Sequence, residues 1–282
     1  MKLIGVDLGG TNITAVLIEE TKVLKQFIGP TPYDQKKEAV VDAIAQVITE
    51  VFDAKITGIG IGVPGLLDLQ HNLVLDVVNI PSWDVVPLKQ MLEERFHKPV
   101  YVNNDANCFA LGEKYYGKGK EYRNFVGITI GTGLGAGIVI NDHLYPGSYC
   151  GAGEFGTIYY LDKTVEAYAS GQFFKDQHLS GKELAKQAAS GDPEALRQFN
   201  ELGKHIGRAI ANVLYALAPE AIILGGSVSH SFTYFEGGMR WVLENEFPYQ
   251  RLYQSLKIEI SELDNSSGLG ASSLVLDALH TY

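Results

Sequence analysis

A short plan occurs twice in this chain. Near the start, the apolar Leu3, Ile4 and Val6 lead into Asp7-Leu8-Gly9-Gly10-Thr11, and apolar residues resume at Ile13, Ala15, Val16 and Ile18. The same plan returns over residues 125–140, where an apolar run ends in Gly131-Thr132-Gly133-Leu134-Gly135 and a second run follows. Each copy reads as a β-hairpin with glycines and a hydroxyl at its tip. Glycines there let backbone N–H groups approach an anion that any Cβ would hold away, so each tip makes a phosphate-sized concavity. Either copy alone also fits an ordinary hairpin. Two copies in matching positions predict a duplicated α/β fold with a cleft between its halves.

The intervening sequence supports two such halves. Residues 23–28 read as a third strand, and Val40, Ile44, Val47 and Val51 form a helical stripe within 35–52. Residues 56–63 return to strand, with Gly58, Gly60 and Gly62 alternating against Ile59, Ile61 and Val63, and Pro64-Gly65 closes the strand as a turn. Residues 79–83 form a loop, and a short helix spans 87–96 with Pro87 in its first turn. A brief strand at 100–102 enters Asn103-Asn104-Asp105, followed by a helix that stops at Gly117. In the second half, residues 209–217 belong to a long helix ended by Pro219. A buried strand at 221–224 then opens onto Gly225-Gly226-Ser227, a strand follows at 258–260, and a helix spans 269–279. The expected division is residues 1–117 plus 268–282 against 118–267.

At 282 residues, two domains are the natural size expectation. A net charge of −10 argues against nucleic acid or an anionic membrane as the main partner, while leaving room for a small anion in a local electropositive site. No apolar run approaches a membrane span, and the chain enters a strand with no export leader. Cys108 and Cys150 fit reduced thiols and have no metal-like spacing. A cytoplasmic location is expected.

Two glycine turns across a cleft suit a nucleoside triphosphate, since backbone donors meet its oxygens without the entropy of ordering lysine side chains. Asp7 suits a hydrated Mg²⁺. Gly225-Gly226-Ser227 fits either a platform for adenine or a plain strand-to-helix turn. Asn103-Asn104-Asp105 is the sharpest local signal. One such residue is explained by helix capping, but capping does not call for three in succession. A carboxylate there suits a base that accepts a hydroxyl proton late in phosphoryl transfer, where position matters more than a shifted pKa. Glu154, crowded by Gly151, Gly153 and Gly156, fits a ligand for vicinal hydroxyls.

Together these motifs resemble the ROK family of sugar kinases and sugar-responsive repressors, within the actin-like and hexokinase-like ATPase superfamily. The resemblance runs from Asp7–Thr11 through Gly62-Val63-Pro64-Gly65, Asn104-Asp105-Ala106-Asn107 and Gly131–Gly135. It continues in Gly151–Glu154, Glu166-Ala167-Tyr168-Ala169-Ser170-Gly171, Leu224–Ser229 and Gly268-Leu269-Gly270-Ala271. It implies two similar domains of mixed β-sheet flanked by helices, of the actin-like ATPase or ribonuclease H-like kind, with an interdomain cleft. It makes Asp105 the catalytic base and Asn104 a sugar ligand, and it puts Gly65, Asn79, Glu154 and Glu166 in the sugar pocket. Glu166 is reached by the resemblance alone. Asp7, Gly9, Gly10, Thr11, Asn12, Gly131, Thr132, Gly133, Gly225 and Gly226 are implied for ATP, with Asp7 ordering Mg²⁺ through water.

The implied reaction transfers the γ-phosphoryl of ATP to a hexose hydroxyl, with glucose to glucose 6-phosphate the leading expectation. Fructose, N-acetylmannosamine or N-acetylglucosamine is the alternative within the class, and a non-catalytic sugar-binding regulator the alternative outside it. A homodimer is expected. Two departures stand out. Many members carry a histidine where this chain has Thr157, followed by a Cys-x-Cys-Gly-x-x-Gly-Cys cluster that binds structural zinc. Residues 159–165 are short and hold no cysteine. Zinc needs its full ligand set, so no zinc is expected. The missing histidine bears on the choice of sugar more than on catalysis. Repressor members also carry a DNA-binding domain ahead of this region, and the acidic chain begins directly at the first strand, so repressor activity is not expected.

Overall fold

The computed structural model describes residues 1–75, 77 and 80–280, with His280 described by its backbone only. The chain opens with strands β1 (Lys2–Leu8), β2 (Asn12–Glu19) and β3 (Lys22–Pro30), then helix α1 (Lys37–Val51). Strands β4 (Ile56–Val63), β5 (Leu66–Asp68), β6 (Leu73–Leu75) and β7 (Val85–Val86) precede α2 (Leu88–Phe96), β8 (Val100–Asn104) and α3 (Asp105–Tyr115). Next come β9 (Phe125–Ile130), β10 (Leu134–Ile140), β11 (His143–Leu144), the small hairpin β12 (Tyr159–Tyr160) and β13 (Lys163–Thr164), and short helices α4 (Val165–Tyr168) and α5 (Gln172–Asp176). Helices α6 (Gly181–Ala189) and α7 (Pro193–Leu217), β14 (Ala221–Gly225), α8 (Phe232–Asn245), α9 (Gln250–Ser255), β15 (Lys257–Ile260) and α10 (Ser266–His280) complete the order.

The duplication is visible in the sheets. One has the order β3-β2-β1-β4-β8, the other β11-β10-β9-β14-β15. In the first, β1–β2 and β2–β3 are antiparallel while β1–β4 and β4–β8 are parallel. In the second, β10–β11 is antiparallel, and β14 runs parallel to both β9 and β15. By compactness the chain divides into a first unit of Met1–Glu121, Gly137–Ala152 and Glu262–Tyr282, and a second of Tyr122–Ala136 and Gly153–Ser261. The expected division lay at 117/118 and 267/268. These units break four to six residues away from those points and also give 137–152 to the first.

Within the first unit, the apolar stripe of α1 (Val40, Ile44, Val47, Val51) is buried against Ile4, Val6, Ile13 and Ile59 of the sheet. The alternating glycines of β4 have a packing reason. A Cβ on Gly60 would fall inside the carbonyl of Ala271, and one on Gly5 inside that of Gly268, so the backbone of α10 rests directly on β1 and β4. Gly62 faces Cys108 of α3, whose sulfur would lie 3.3 Å from an added Cβ. In the second unit, Gly203, Gly207 and Gly238 let α7 and α8 approach to backbone contact in the same way. Several features escape the sequence reading, the short elements β11–β13, α4–α6 and α9 among them. Strands β5, β6 and β7 form a small antiparallel sheet over residues to which the sequence reading assigned no element. Pro87 caps α2 from outside its first turn. Helix α8 gave no recognised signal.

Candidate active site

The first unit gathers its site residues at the carboxyl ends of β1, β4 and β8. The β1–β2 tip is tightened by Gly9 N–H donating to the Asn12 carbonyl at 2.9 Å and by Thr31, whose Oγ1 donates to the Gly9 carbonyl at 2.7 Å. Thr11 and Asn12 are exposed, with Gly9 and Gly10 half-buried behind them. Asp7, paired with Thr14 on one side and Gly62 on the other, accepts a hydrogen bond from Ser267. Burial raises its carboxyl above the usual range, and the Ser267 bond offsets part of that rise.

At the end of β8, capping and chemistry fall on different residues. Asn104 is the N-cap of α3, its side-chain oxygen accepting from Ala106 N–H at 2.9 Å, and its amide donates to the Gly65 carbonyl at 3.2 Å. Asn103 is buried, accepting from Asn104 N–H and from the Asn107 amide. Asp105 presents an exposed carboxylate at the helix start, with Oδ1 accepting from Ala106 N–H at 2.8 Å. An acidic group suits that position beside the helix dipole. The buried thiol of Cys108 is pushed well up by desolvation, then by the charges of Asp105 and Asp7, so the two carboxylates flank one point of the unit. Gly65 holds φ at 146°, a backbone region open to glycine. Asn79 lies outside the described residues.

The second unit holds the other glycine tip and the carboxylate pair. Gly131 N–H donates to the Gly133 carbonyl at 3.0 Å, and Gly171 N–H donates to the Gly131 carbonyl at 2.8 Å. Buried Ser170 donates to the Thr132 carbonyl at 2.8 Å. Glu166 is drawn into this tip: its Oε2 accepts from Leu134 N–H at 3.3 Å, and a Cβ on Gly133 would lie 2.5 Å from the same oxygen. Glu154 keeps solvent contact, yet partial desolvation and then the charge of Glu166 raise its carboxyl. Thr157 donates its hydroxyl to the Glu154 carbonyl at 2.8 Å. Gly226 takes φ of +83°, and an added Cβ would lie 2.5 Å from the Ile130 carbonyl.

Beside these glycines opens a cavity of about 500 Å³. Gly131, Thr132, Ser227 and Val228 form one wall, and Phe174 and Phe199, in edge contact at 5.1 Å, line another. Backbone donors and hydroxyls beside aromatic faces suit a nucleoside with attached phosphates. Lys175, Lys182 and His230 also line it and had not been singled out from the sequence. The capping serine at 180 ahead of α6 was the signal that something turned there. Among the described residues, no group of three His, Cys, Asp or Glu side chains is placed to hold a metal ion. A single desolvated carboxylate is still what Mg²⁺ asks of a protein when phosphates supply its other ligands, and Asp7 fits that role. No helix among the described residues is long and apolar enough to cross a membrane.

Two matching sheets with glycine-turned hairpins define the actin-like ATPase type of fold in its sugar-kinase form. Comparison with known proteins agrees. A crystal structure of a ROK family glucokinase from Streptomyces griseus, in complex with glucose and AMPPNP, superposes with a TM-score of 0.84 at 30% identity, covering 97% of this chain and 99% of that one. Glucokinase of Thermotoga maritima is 30% identical, over 99% of this chain and 98% of its own length. The xylose repressor of Bacillus subtilis is 31% identical, over 97% of this chain and 77% of the repressor. The ROK family model matches residues 3–278. The chain belongs to the ROK family and has its kinase fold.

Proposed function

We propose that this chain is an ATP-dependent hexose kinase that transfers the γ-phosphoryl group to a sugar hydroxyl, with glucose to glucose 6-phosphate as the leading reaction. The observation that carries the reading is the exposed carboxylate of Asp105 at the start of α3, beside Asn104, with Asp7 close enough for both charges to act on the thiol of Cys108. Asp105 takes the sugar hydroxyl proton, the sugar oxygen bonds to the γ-phosphorus, and the bond to the β,γ-bridging oxygen breaks to release ADP. In such a loose transition state the base acts late, and holding it in place is most of its task. Glycine-tip N–H groups at 9–12 and 131–133 receive phosphate oxygens, while the cavity beside Gly225 and Gly226 takes the nucleoside. Asp7 would hold a Mg²⁺ ion through water, and that ion would offset phosphate charge.

Glu154 and Glu166 receive sugar hydroxyls as charge-assisted hydrogen bonds. Thr157, with its hydroxyl already donated to the Glu154 carbonyl, leaves more room than a histidine would. Fructose, N-acetylmannosamine and N-acetylglucosamine are therefore the alternative substrates. The likeness to a xylose repressor favours one further reading, a sugar-binding regulator without turnover. A homodimer in the cytoplasm is the proposed working form, with light scattering as its check. The deciding experiment is a coupled ADP-release assay across a sugar panel. Sugar-stimulated release that falls by about 10²–10⁴-fold in Asp105→Asn is expected for a positioned base. Tight sugar binding without turnover would favour the regulator, and undiminished activity in Asp105→Asn would remove the assigned base.

A further inference from the structure

The segment between the two carboxylates has an anchor with no part in the reaction above. Glu154 and Glu166 stand at either end of the β12–β13 hairpin, whose strands are two residues each. A ladder so short does not hold itself in water. Its own closure consists of the pairs Tyr159–Thr164 and Tyr160–Lys163 and the bond from Val165 N–H to the Ile158 carbonyl at 2.9 Å. Beyond that, Tyr160 reaches across to α7. Its hydroxyl lies 3.1 Å from Nδ1 of His205 and also bonds Arg208, which in turn forms a two-bond pair with Glu246, the C-cap of α8.

The rings of Tyr160, Tyr168 and Phe173 close around the imidazole, with centroids 5.8, 5.1 and 5.6 Å from it. Desolvation, and then the positive charge of Arg208, lower the pKa of His205 and favour the neutral imidazole. The phenol oxygen accepts from Arg208, and in the imidazole tautomer that carries its proton on Nε2 the phenol donates to Nδ1 of His205. Tyr168, two residues after Glu166 on α4, donates to Asp162 in the hairpin turn, and Lys163 pairs with Asp176 at 2.5 Å. The hairpin is thus tied back to the helix that carries Glu166, and through Tyr160 to the long helix behind it.

We propose that Tyr160 and His205 are positioning residues for sugar recognition: their hydrogen bond and ring contacts fix the β12–β13 hairpin, and with it the spacing of Glu154 and Glu166. This rests on the assignment of those two carboxylates to the sugar. The bond acts on a sugar ligand pair, so its loss changes sugar affinity more than ATP affinity and spares the β1–β2 tip and Asp105.

Four variants test it: Tyr160→Phe, His205→Phe, His205→Asn and, as control, Tyr159→Phe on the 77%-exposed outer ring of the same hairpin. Losing one partly shielded hydrogen bond predicts a sugar KM about three- to tenfold higher in Tyr160→Phe and His205→Phe. The ATP KM and kcat should stay within about twofold of wild type. His205→Asn keeps an acceptor near the Nδ1 position and should bring the sugar KM back to within about twofold; Tyr159→Phe should leave it unchanged. Hydrogen exchange should quicken at the Val165 and Leu134 amides in Tyr160→Phe. Unchanged sugar KM in both Phe variants would overturn the proposal. So would an equal loss in ATP KM and kcat, or failure of His205→Asn to recover. If wild type turns over no sugar, the kinase reading falls, and exchange alone decides the anchor: faster exchange upholds it and unchanged exchange overturns it.

Discussion

Asp7 carries a cost that its proposed work explains. Burial raises its carboxyl, and Ser267 offsets only part of that rise. A carboxylate raised in the folded state binds its proton more tightly there than in the unfolded chain. Stability is therefore lost as pH climbs from the unfolded value through the folded one. Above that window Asp7 destabilises the fold, so Asp7→Asn should show a higher urea midpoint at neutral pH, an advantage that disappears in acid, and it should lose Mg²⁺-dependent turnover. Unfolding curves at two pH values check the first half. Glu154 is the second case. Desolvation and then Glu166 raise its carboxyl. Glu166→Gln removes the second cause and should move the acid limb of the kcat/KM profile to lower pH, although activity falls overall. A limb that stays in place would detach the pair. Asp7, Asn104 and Asp105 could be singled out as candidates because short polar residues directly after an apolar run call for a polar partner. Glu166 was not, since its contact with Leu134 N–H joins positions 32 residues apart that no local pattern connects.

At the level of elements, the sequence pattern located the strands of four residues or more and the helices α1, α2, α3, α7 and α10, and burial agrees with it. The five-residue strand β14 is buried throughout, and the α1 stripe faces the core. Among the elements missed, two cases have different reasons. Strands β5, β6 and β7 are two or three residues long, too short for alternation to register. Helix α8 opens with Phe232-Thr-Tyr-Phe and holds Gly237 and Gly238 in its middle, a composition that argues against a helix. Packing overrides propensity there, because Gly238 admits the α7 backbone at Asn200. The same close approach gives a prediction for β4. Gly60→Ala should destabilise by ~2–3 kcal/mol in urea unfolding, since backbone of α10 rather than a movable side chain occupies the space. Gly191→Ala, with φ of +82° and open space around it, should cost only about 1 kcal/mol.

For the molecule as a whole, the duplication was readable from two glycine tips because each half repeats the plan of strand, glycine turn and strand. Which segments make up each compact unit was not, because the assignment of 137–152 to the first unit depends on contacts far apart in sequence, such as Lys114 with Asp142 at 2.6 Å. Residues 159–165 hold no cysteine and Thr157 replaces a histidine, so chelator-washed protein should carry well under one zinc per chain by atomic emission and keep its sugar KM; stoichiometric zinc would contradict this. The discontinuous first unit also has a consequence for synthesis. Gly5 and Gly60 are shaped to receive the backbone of α10, residues 266–280. On the ribosome, β1 and β4 emerge with that face bare, and everything in the second unit emerges before its cover does. At ~5–20 residues per second, the interval between the end of β4 and the end of α10 is about 10–40 s. The second unit has all its segments in hand first, so the first unit closes last, and its glycine-lined sheet face is the surface a nascent-chain chaperone would meet.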